Sequence, residues 1–316
     1  MATIVIVTYN SAEVIERCLD ACECLLSVRV IVVDNASTDS TVSLVRRRSD
    51  VTLISNRSNL GFAAAVNQGF RAAKDDAVLL LNPDASPIRG IDLLEHSVCQ
   101  GNVGAATGAL KGEDGEDQRE FHIRSLPTGW TLAFEALGIN RLWPGNPVNR
   151  RYRPFDPRDV EQPAAAFLMV RKEAWTNVGG FDEQFYPVWF EDVDFCKRLK
   201  DAGFEIRFIP EAEAHHVGGH SASKLTWGDR QLFWYGSLLR YASKHLPAKS
   251  SRAVGLAVMV ASFLRMFTSM FQFGISEPVA VYSKVVRLAW GYLRRVNAGN
   301  LSLNAGQSVK EQLKQS

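Results

Sequence analysis

The sequence has 316 residues, of which 46% are hydrophobic and 22% are charged, and its net charge at pH 7 is +2. This composition excludes a disordered, collagen-like or disulfide-scaffold protein, and the length fits one large domain with an appendage, or two domains. The five cysteines have no framework spacing, and the N-terminal apolar run is interpreted as a buried strand and not as a signal peptide, so we predict a reducing compartment.

Short apolar runs alternate with helical patterns through the first hundred residues. The runs predicted to be strands are 4–8, 30–33, 51–54, 78–81 and 103–107, and the predicted helices lie near 12–25, 39–48, 62–74 and 91–99. This alternation predicts βαβ crossovers, and therefore an α/β fold with a mostly parallel sheet covered by helices on both faces. Because ligands bind beyond the carboxyl ends of the strands in such sheets, residues 8–10, 34–35 and 82–84 are predicted to share one rim.

The middle of the chain departs from this pattern. Residues 110–160 are polar and rich in Pro and Gly, and their length predicts a binding loop or lid. A strand-like run at 167–170 and a helical pattern at 191–202 follow, and beyond residue 228 only helices are predicted. We therefore divide the chain into a domain at 1–223 and a helical extension at 224–316.

The C-terminal extension is basic and contains one unusual helix. Residues 224–316 carry 13 Lys or Arg and 3 Asp or Glu, a net charge of +10, whereas residues 1–223 carry −8. The segment 253–275 is strongly apolar, but Arg265 interrupts it before the roughly 18 to 20 residues that span a bilayer. A broad apolar face beside flanking bases predicts a helix that lies in a membrane interface. The alternatives are a solvated surface, or a helix packed on the main domain or on a partner subunit.

Two acidic turns follow predicted strands. Asp34 could accept hydrogen bonds from a base or a ribose, and the alternative is that it only caps the next helix together with Ser37. Asp84 follows Asn82 and a proline, and a carboxylate on such a stiff turn could hold a divalent cation that bridges two phosphates. The alternative for this second site is an ordinary turn.

The strongest chemical signal lies in the second half of the chain. Glu191, Asp192 and Asp194 place three carboxylates within four residues beside aromatic side chains, so repulsion and burial should raise at least one pKa, as a general base requires. Acids also favour helix N-termini, which is the structural alternative. Three histidines, at 215, 216 and 220, follow a strand predicted to end near residue 209, and they are candidate metal ligands or structural residues.

Several segments, in a fixed order, resemble a known family. They are Ile-Val-Thr-Tyr-Asn at 6–10, Val-Val-Asp-Asn-Ala-Ser-Thr-Asp at 32–39, Asn-Leu-Gly-Phe at 59–62 with Asn67 and Gly69, Leu-Leu-Asn-Pro-Asp at 80–84, Gly-Gly-Phe-Asp-Glu at 179–183, Phe-Glu-Asp-Val-Asp at 190–194 with Arg198, and His216 with Gly219 and Ser221. Together they resemble the family 2 glycosyltransferases of the GT-A fold, and the chain is most similar to their bacterial rhamnosyltransferase branch. The resemblance covers about residues 3–221.

The resemblance implies a nucleotide-sugar site at the predicted rim. The implied binding residues are Thr8, Tyr9, Asn10, Asp34, Asn35, Asn59, Gly61, Asn67, Asn82 and Asp84. Asp34 would hold the pyrimidine, while Asn59, Gly61 and Asn67 would border the ribose or the diphosphate. Asp84 matches the last Asp of the family's Asp-x-Asp motif, which binds Mg²⁺ or Mn²⁺ on the donor diphosphate.

The resemblance also implies the catalytic residues. Asp192 matches the base that would deprotonate the acceptor hydroxyl for in-line attack with inversion at the anomeric carbon. His216 matches a position that reaches the metal or the diphosphate, so the implied metal ligands are Asp84 and His216. Glu191 and Trp189 are implied on the acceptor side, and the loop or lid at 110–160 would serve the acceptor as well.

These features together predict an inverting, metal-dependent glycosyltransferase. The donor would be a dTDP-sugar or UDP-sugar, with rhamnose from dTDP-rhamnose favoured, and the acceptor a lipid-linked or cell-surface polysaccharide. The rival is a non-catalytic nucleotide-sugar-binding or scaffold protein at the membrane, although Asp84, Asp192 and His216 together favour the enzyme. We expect a cytoplasmic protein, peripheral on the inner face of the plasma membrane, with no nucleic-acid partner; the C-terminal helices could instead form a homo-oligomer.

Overall fold

In the computed structural model, residues 2–25, 28–118, 122–143, 159–218 and 224–298 are described. The strands are β1 (Ala2–Thr8), β2 (Val28–Asp34), β3 (Val51–Ser55), β4 (Ala77–Leu81), β5 (Ala85–Arg89), β6 (Val103–Lys111), β7 (Ile123–Arg124), β8 (Gln162–Pro163), β9 (Phe167–Arg171) and β10 (Glu205–His216). The helices are α1 (Ile15–Glu23), α2 (Thr41–Arg46), α3 (Phe62–Ala72), α4 (Ile91–Val98), α5 (Gly129–Leu137), α6 (Ile139–Leu142), α7 (Lys172–Asn177), α8 (Glu191–Asp201), α9 (Trp227–His245), α10 (Ala248–Phe273) and α11 (Ser276–Asn297). Part of the predicted loop, 144–158, and the motif residues Gly219, His220 and Ser221 lie outside the described residues.

A mixed sheet forms the centre of the first compact unit, which comprises Met1–Leu126, Arg153–Glu183 and Glu191–Lys224. Its strand order is β3-β2-β1-β4-β9-β6-β10-β5. The strands β1 to β4 pair in parallel, and so do β6 and β10. In contrast, β9 runs antiparallel to β4 and β6, and β5 runs antiparallel to β10. The predicted parallel half is therefore confirmed, and the far half of the sheet is mixed.

Helices cover both faces of this sheet, because the central strands β1 and β4 are buried at every position and apolar at nearly all of them. Alternate residues such as Ile4 and Ile6 pack in one core cluster with Ile15 and Leu19 of α1 and with Leu94 of α4. The intervening residue, Val5, faces α3, which approaches so closely that Gly69 contacts its side chain. This arrangement confirms the expected α/β fold with helices on both faces.

The last strand is longer than predicted. It does not end near Ile209 but continues to His216, with an irregular register between Ile209 and Glu213. Pro210 lies within this irregular stretch and cannot donate a ladder hydrogen bond, which explains why the sequence pattern breaks there. The continuation pairs with β5, so His215 and His216 lie on a strand and not after one.

The second compact unit comprises Pro127–Tyr152, Gln184–Phe190 and Leu225–Ser316. Its described elements are α5, α6 and the three helices that were predicted after residue 228. Two helices therefore lie within 110–160, where the sequence predicted an irregular loop. A capping box between Thr128 and Thr131 starts α5, and Gly138 with a φ of 74° ends it.

Helix α10 buries mostly small side chains and exposes most of its large apolar ones. The buried residues include Gly255, Ala261 and Ser262, and Gly255 packs against Leu293 of α11. The guanidinium of Arg265 donates to the carbonyl of Ala136. The exposed side chains are Leu256, Val260, Phe263, Leu264, Phe267 and Phe271. Among the described helices, α10 is the one whose length and composition would allow it to cross a membrane, and a third of its most apolar stretch is buried.

Candidate active site

The carboxyl ends of β1 and β2 bring the first group of candidate residues together. Thr8 and Asp34 are paired in register, both are fully buried, and the hydroxyl of Thr8 donates to Asp34 Oδ1 at 2.9 Å. The backbone N–H and the hydroxyl of Ser37 also donate to the Asp34 carboxylate. Asp34 therefore organises its own loop and does not cap α2, whose N-cap is Ser40, and its role toward a pyrimidine stays a prediction.

The backbone of this rim is strained at two non-glycine residues. Asn10 has a φ of 51° and Ala36 a φ of 66°. The N–H of Asn10 donates to Ser37 Oγ at 2.8 Å, and its side-chain oxygen accepts from the N–H of Thr38 at 2.8 Å. Such conformations persist where surrounding contacts enforce them, and they cluster at ligand sites. The half-buried Tyr9 lies in the same rim, immediately before Asn10.

The loop that leads into α3 is held by amide side chains. Asn35 Oδ1 accepts from the N–H of Leu60 at 3.0 Å, and its Nδ2 donates to the carbonyl of Gly61 at 3.1 Å. Asn59 Oδ1 accepts from the N–H of Gly61 at 2.9 Å. Gly61 has a φ of 89°, a conformation that L side chains rarely adopt. The structure thus brings Asn35, Asn59 and Gly61 together at the start of α3.

Asn67 lies further along α3 and engages a different segment. Its Oδ1 accepts from the N–H of Phe181 at 2.9 Å and from the indole of Trp175 at 3.3 Å. Its Nδ2 donates to the carbonyl of Phe181 and to the carboxylate of Glu183. Both ends of this buried amide therefore hold the Gly-Gly-Phe-Asp-Glu segment, and its predicted place at the ribose or diphosphate stays a prediction.

Asp84 and His216 form a buried pair at the end of the sheet. The Nε2 atom of His216 lies 3.6 Å from Asp84 Oδ1, and both residues are under 10% exposed. Asn82 precedes Asp84 in the same turn, where its carbonyl accepts from the N–H of Ala85. Burial lowers the pKa of His216, with the Asp84 carboxylate acting in the opposite direction. The imidazole is therefore neutral near pH 7.

The side chain of Gln118 fixes the tautomer of this imidazole. Gln118 Nε2 donates to the carbonyl of His216 at 3.0 Å, so its Oε1 is the atom that faces His216 Nδ1, also at 3.0 Å. Because Oε1 can only accept, Nδ1 carries the proton and Nε2 presents a lone pair toward Asp84. Two acceptor atoms thus face each other with no proton between them.

A divalent cation fits this arrangement, because it would satisfy both acceptors. Within the described residues, no cluster of three or more His, Cys, Asp or Glu side chains is arranged to hold a metal ion. Asp84 and His216 would therefore supply only two protein ligands, and phosphate oxygens or water would complete the shell. Mg²⁺ is commonly bound in this way, through one or two carboxylates and substrate phosphates.

The three acids at the start of α8 lie in three environments. Asp194 is fully buried and accepts from Arg198 Nε at 2.8 Å. Glu191 is 5% exposed, its Oε2 has no hydrogen-bond partner among the described residues, and burial followed by the charge of Asp192 raises its pKa well above the usual value. Asp192 is half-buried and accepts from the N–H of Val193 at 2.8 Å. Burial raises the pKa of Asp192, against the opposing effects of that N–H and of the Arg124 charge.

Trp189 and Phe190 precede these acids in an uncommon conformation. Their φ values are 79° and 67°, which bulky residues rarely adopt. They belong to the second compact unit, where the ring of Phe190 packs against Trp234 and Tyr241. The acceptor-side role of Trp189 stays a prediction.

Comparison with known proteins identifies the family. Residues 3–152 match the model described as glycosyl transferase family 2, and residues 153–228 match one described as the N-terminal domain of galactosyltransferase. The N-acetylglucosaminyl-diphospho-decaprenol L-rhamnosyltransferase of Mycobacterium tuberculosis is 30% identical over 296 residues, which are 83% of this chain and 94% of that protein. The chain belongs to glycosyltransferase family 2.

Two further relatives and one solved structure extend this result. The pre-mycofactocin glycosyltransferase of Mycobacterium tuberculosis is 30% identical over 80% of this chain and 49% of its own length. The rhamnosyltransferase WbbL of Escherichia coli is 28% identical over 50% of this chain and 58% of its own length. The mannosyltransferase PcManGT from Pyrobaculum calidifontis, in complex with GDP-Man and Mn²⁺, matches with a TM-score of 0.52 and 18% identity, over 95% of this chain and 86% of that chain. The chain is therefore a glycosyltransferase enzyme with the GT-A fold.

Two site residues of this glycosyltransferase were not among the residues singled out in the sequence. Gln118 reaches His216 across 98 positions because a tight turn after β6 returns the chain, with the N–H of Gln118 bonded to the carbonyl of Leu110. Arg124 influences Asp192 through its charge. A long-range amide contact has no local sequence signal, and a lone exposed Arg is ordinary.

Proposed function

We propose that this glycosyltransferase transfers L-rhamnose, with inversion, from dTDP-rhamnose to a sugar on a lipid diphosphate. The observation that carries the proposal is the half-buried Asp192, whose pKa is raised, in the same compact unit as the Asp84–His216 pair. The transferred sugar and the acceptor class rest on the M. tuberculosis relative, which is matched over 94% of its length. The pre-mycofactocin glycosyltransferase is also 30% identical, but it is matched over only 49% of its length and therefore carries less weight.

In this proposal the acids at the start of α8 act on the acceptor, and the residues at the carboxyl ends of β1 and β2 bind the donor. Asp192 accepts the proton of the acceptor hydroxyl as that oxygen attacks the anomeric carbon, because a raised pKa makes its carboxylate a stronger base. Glu191, whose pKa is raised well above the usual value by burial and by the charge of Asp192, would contact the acceptor beside this base. Asp34 holds the pyrimidine end of the donor, and Thr8, which donates to it, lines the nucleotide pocket with Tyr9 and Asn10.

The reaction also requires that the negative charge of the leaving diphosphate be stabilised. Asp84 and His216 would hold Mg²⁺ or Mn²⁺, which when bound would neutralise the charge that develops on the leaving diphosphate. The lone pair on His216 Nε2, fixed by Gln118, supports this assignment. Glu191 and Trp189 are assigned to the acceptor side, and Asn10, Asn35, Asn59 and Gly61 shape the loops around the donor.

We further propose that the second compact unit binds the cytoplasmic leaflet of the plasma membrane. Helix α10 turns its phenylalanines to the outside and its small residues to the inside, which is the distribution expected of a helix in contact with lipid. Exposed bases at Lys249, Arg252, Lys284 and Arg287 favour an anionic surface. Such binding would hold the enzyme on the leaflet that contains a lipid-linked acceptor.

A donor screen with a defined acceptor tests the proposal. The purified full-length chain is incubated with Mg²⁺, N-acetylglucosaminyl-diphospho-prenol in detergent, and dTDP-rhamnose, dTDP-glucose, UDP-glucose or UDP-N-acetylglucosamine in turn. We expect an extended lipid product from dTDP-rhamnose, and its loss when EDTA is added. Transfer from a UDP-sugar alone would overturn the donor, and full activity in EDTA would overturn the metal. Tight binding of nucleotide sugars without transfer or hydrolysis of any of them would favour the non-catalytic binding protein.

A further inference from the structure

The side chain of Gln118 makes two hydrogen bonds to a single residue. Its Nε2 donates to the backbone carbonyl of His216, and its Oε1 accepts from Nδ1 of the same imidazole, each at 3.0 Å. His216 is 4% exposed, so the ring has little access to water as an alternative partner. Gln118 is itself anchored by its N–H to the carbonyl of Leu110 and by its carbonyl to the N–H of His122.

These two hydrogen bonds allow the Gln118 amide only one orientation. A flipped amide would place its NH₂ group toward Nδ1 and its oxygen against the carbonyl of His216, which is also an acceptor. The observed orientation therefore locks the ring as the Nδ1–H tautomer and directs the Nε2 lone pair to Asp84, 3.6 Å away. Without Gln118, the alternative Nε2–H tautomer could donate to the Asp84 carboxylate and remove both metal ligands at once.

We propose that Gln118 is the positioning residue of the metal site, which holds His216 in its metal-binding tautomer. The inference rests on the proposed function, because it requires that Asp84 and His216 bind a divalent cation. Partners that orient a metal-binding histidine typically change metal affinity by about ten- to a hundredfold when they are removed. The effect of Gln118 therefore appears in metal affinity and not only in stability.

Mn²⁺ binding, followed by electron paramagnetic resonance of the free ion in the presence of dTDP, tests the inference without a turnover measurement. Gln118→Met removes both hydrogen bonds at similar size, and we expect it to weaken Mn²⁺ binding about ten- to a hundredfold. Gln118→Glu keeps an acceptor for Nδ1–H but loses the donor to the His216 carbonyl and sets a second oxygen against it, so we expect it to keep the Nδ1–H tautomer and to bind Mn²⁺ more tightly than Gln118→Met, although not more tightly than the wild type. Gln100→Met is the matched control, because Gln100 contacts His96 at an exposed site before β6.

The outcomes separate this inference from the proposed function. Wild-type affinity in Gln118→Met would overturn the inference and leave the metal site intact. Mn²⁺ binding weakened in Gln118→Glu by as much as is expected of Gln118→Met would also overturn it, because the residue would then act only through the fold; this variant decides the matter if Gln118→Met is unstable. Absence of Mn²⁺ binding by the wild type, or undiminished binding by Asp84→Asn, would instead overturn the metal site of the proposed function.

Discussion

The three carboxylates at the start of α8 differ in environment although they are neighbours in sequence. Asp194 is neutralised by Arg198, Glu191 is buried with a strongly raised pKa, and Asp192 alone is half-buried with a raised pKa. We predict that Asp192→Asn lowers kcat by at least about a hundredfold, the usual range for the loss of a general base. Affinity for dTDP should be unchanged, because the amide keeps the shape and the acceptor oxygen that faces Val193.

The measurement is the initial rate of transfer, with dTDP affinity followed by calorimetry. Asp201→Asn is the control, because Asp201 lies at the end of the same helix in an exposed pair with Lys197. Its rate should remain that of the wild type. If Asp192→Asn turned over normally, the base would have to be another acid of this group.

The positions of the charged site residues were predictable from the sequence, whereas the contacts of the amide side chains were not. Asp34, Asp84 and Asp192 follow strands or start a helix, so their positions follow from the pattern of elements. Asn67 was expected at the donor, yet its amide holds a segment more than a hundred residues away. Gln118 had no local signal, because its role depends on a contact with His216 that only the folded sheet creates.

Helices and strands were predictable where the spacing of apolar residues determines them. The alternation of apolar runs and helical patterns gave β1 to β4 and α1 to α4 within a few residues. The short β5, which contains Pro87, and the part of β10 beyond Pro210 were missed because proline interrupts the strand pattern. Helix α5 did carry signals, namely the Thr128 cap and Gly138, but the many prolines and glycines around it favoured a loop.

The contact between α3 and β1 permits a test with two opposite outcomes. A Cβ on Gly69 would collide with the fully buried side chain of Val5, whereas a Cβ on Gly291 of α11 would meet only the end of Arg295 at 3.8 Å. Alanine improves helix propensity at both sites by roughly 0.5–1 kcal/mol. We predict that Gly69→Ala is nevertheless destabilising by about 1–3 kcal/mol, because overpacking exceeds this gain.

Urea unfolding of both variants measures the difference. Gly291→Ala should raise the free energy of unfolding by roughly 0.5–1 kcal/mol, since it adds helix propensity without a clash. Stabilisation by Gly69→Ala would mean that α3 can move away from the sheet, contrary to the close approach in the structure.

The stability of the first compact unit should depend on pH through one buried histidine. His122 is fully buried, its Nε2 contacts the Thr107 hydroxyl and the Gly108 carbonyl, and burial lowers its pKa from 6.5 to about 4. Below pH 6.5 the unfolded chain binds a proton that the folded chain does not bind until about pH 4. The contribution of this group is therefore complete above pH 6.5 and is lost as the pH falls toward 4, by about 2 kcal/mol at about pH 5.

Urea unfolding at about pH 8 and at about pH 5 checks this prediction. His122→Phe removes the titrating group, so its stability should fall less than that of the wild type over this range, although it loses two hydrogen bonds at both values. His96→Phe is the control at an exposed position and should keep the wild-type pH dependence. An unchanged pH dependence in His122→Phe would show that His122 is not the group responsible.

At the scale of the whole molecule, the two halves of the sequence carry opposite charge and different surfaces. Residues 1–223 carry −8 and residues 224–316 carry +10. In the second unit, α10 exposes the phenylalanines at 263, 267 and 271, each more than half exposed. Each base near an anionic surface adds roughly 1 kcal/mol of attraction, which salt screens. Apolar insertion and electrostatic attraction should therefore act together.

We predict that the full-length protein co-sediments with liposomes that contain anionic lipid, and that high salt releases part of it because salt screens only the electrostatic share. Replacement of Phe263, Phe267 and Phe271 by Ser should abolish this binding and leave dTDP affinity unchanged, since no donor residue is altered. Ile88→Ser with Leu93→Ser, exposed apolar residues of the first unit, is the matched control and should bind liposomes normally. If the wild type ignored liposomes but formed an oligomer that the triple replacement dissociates, α10 would be a subunit interface and the membrane proposal would be wrong.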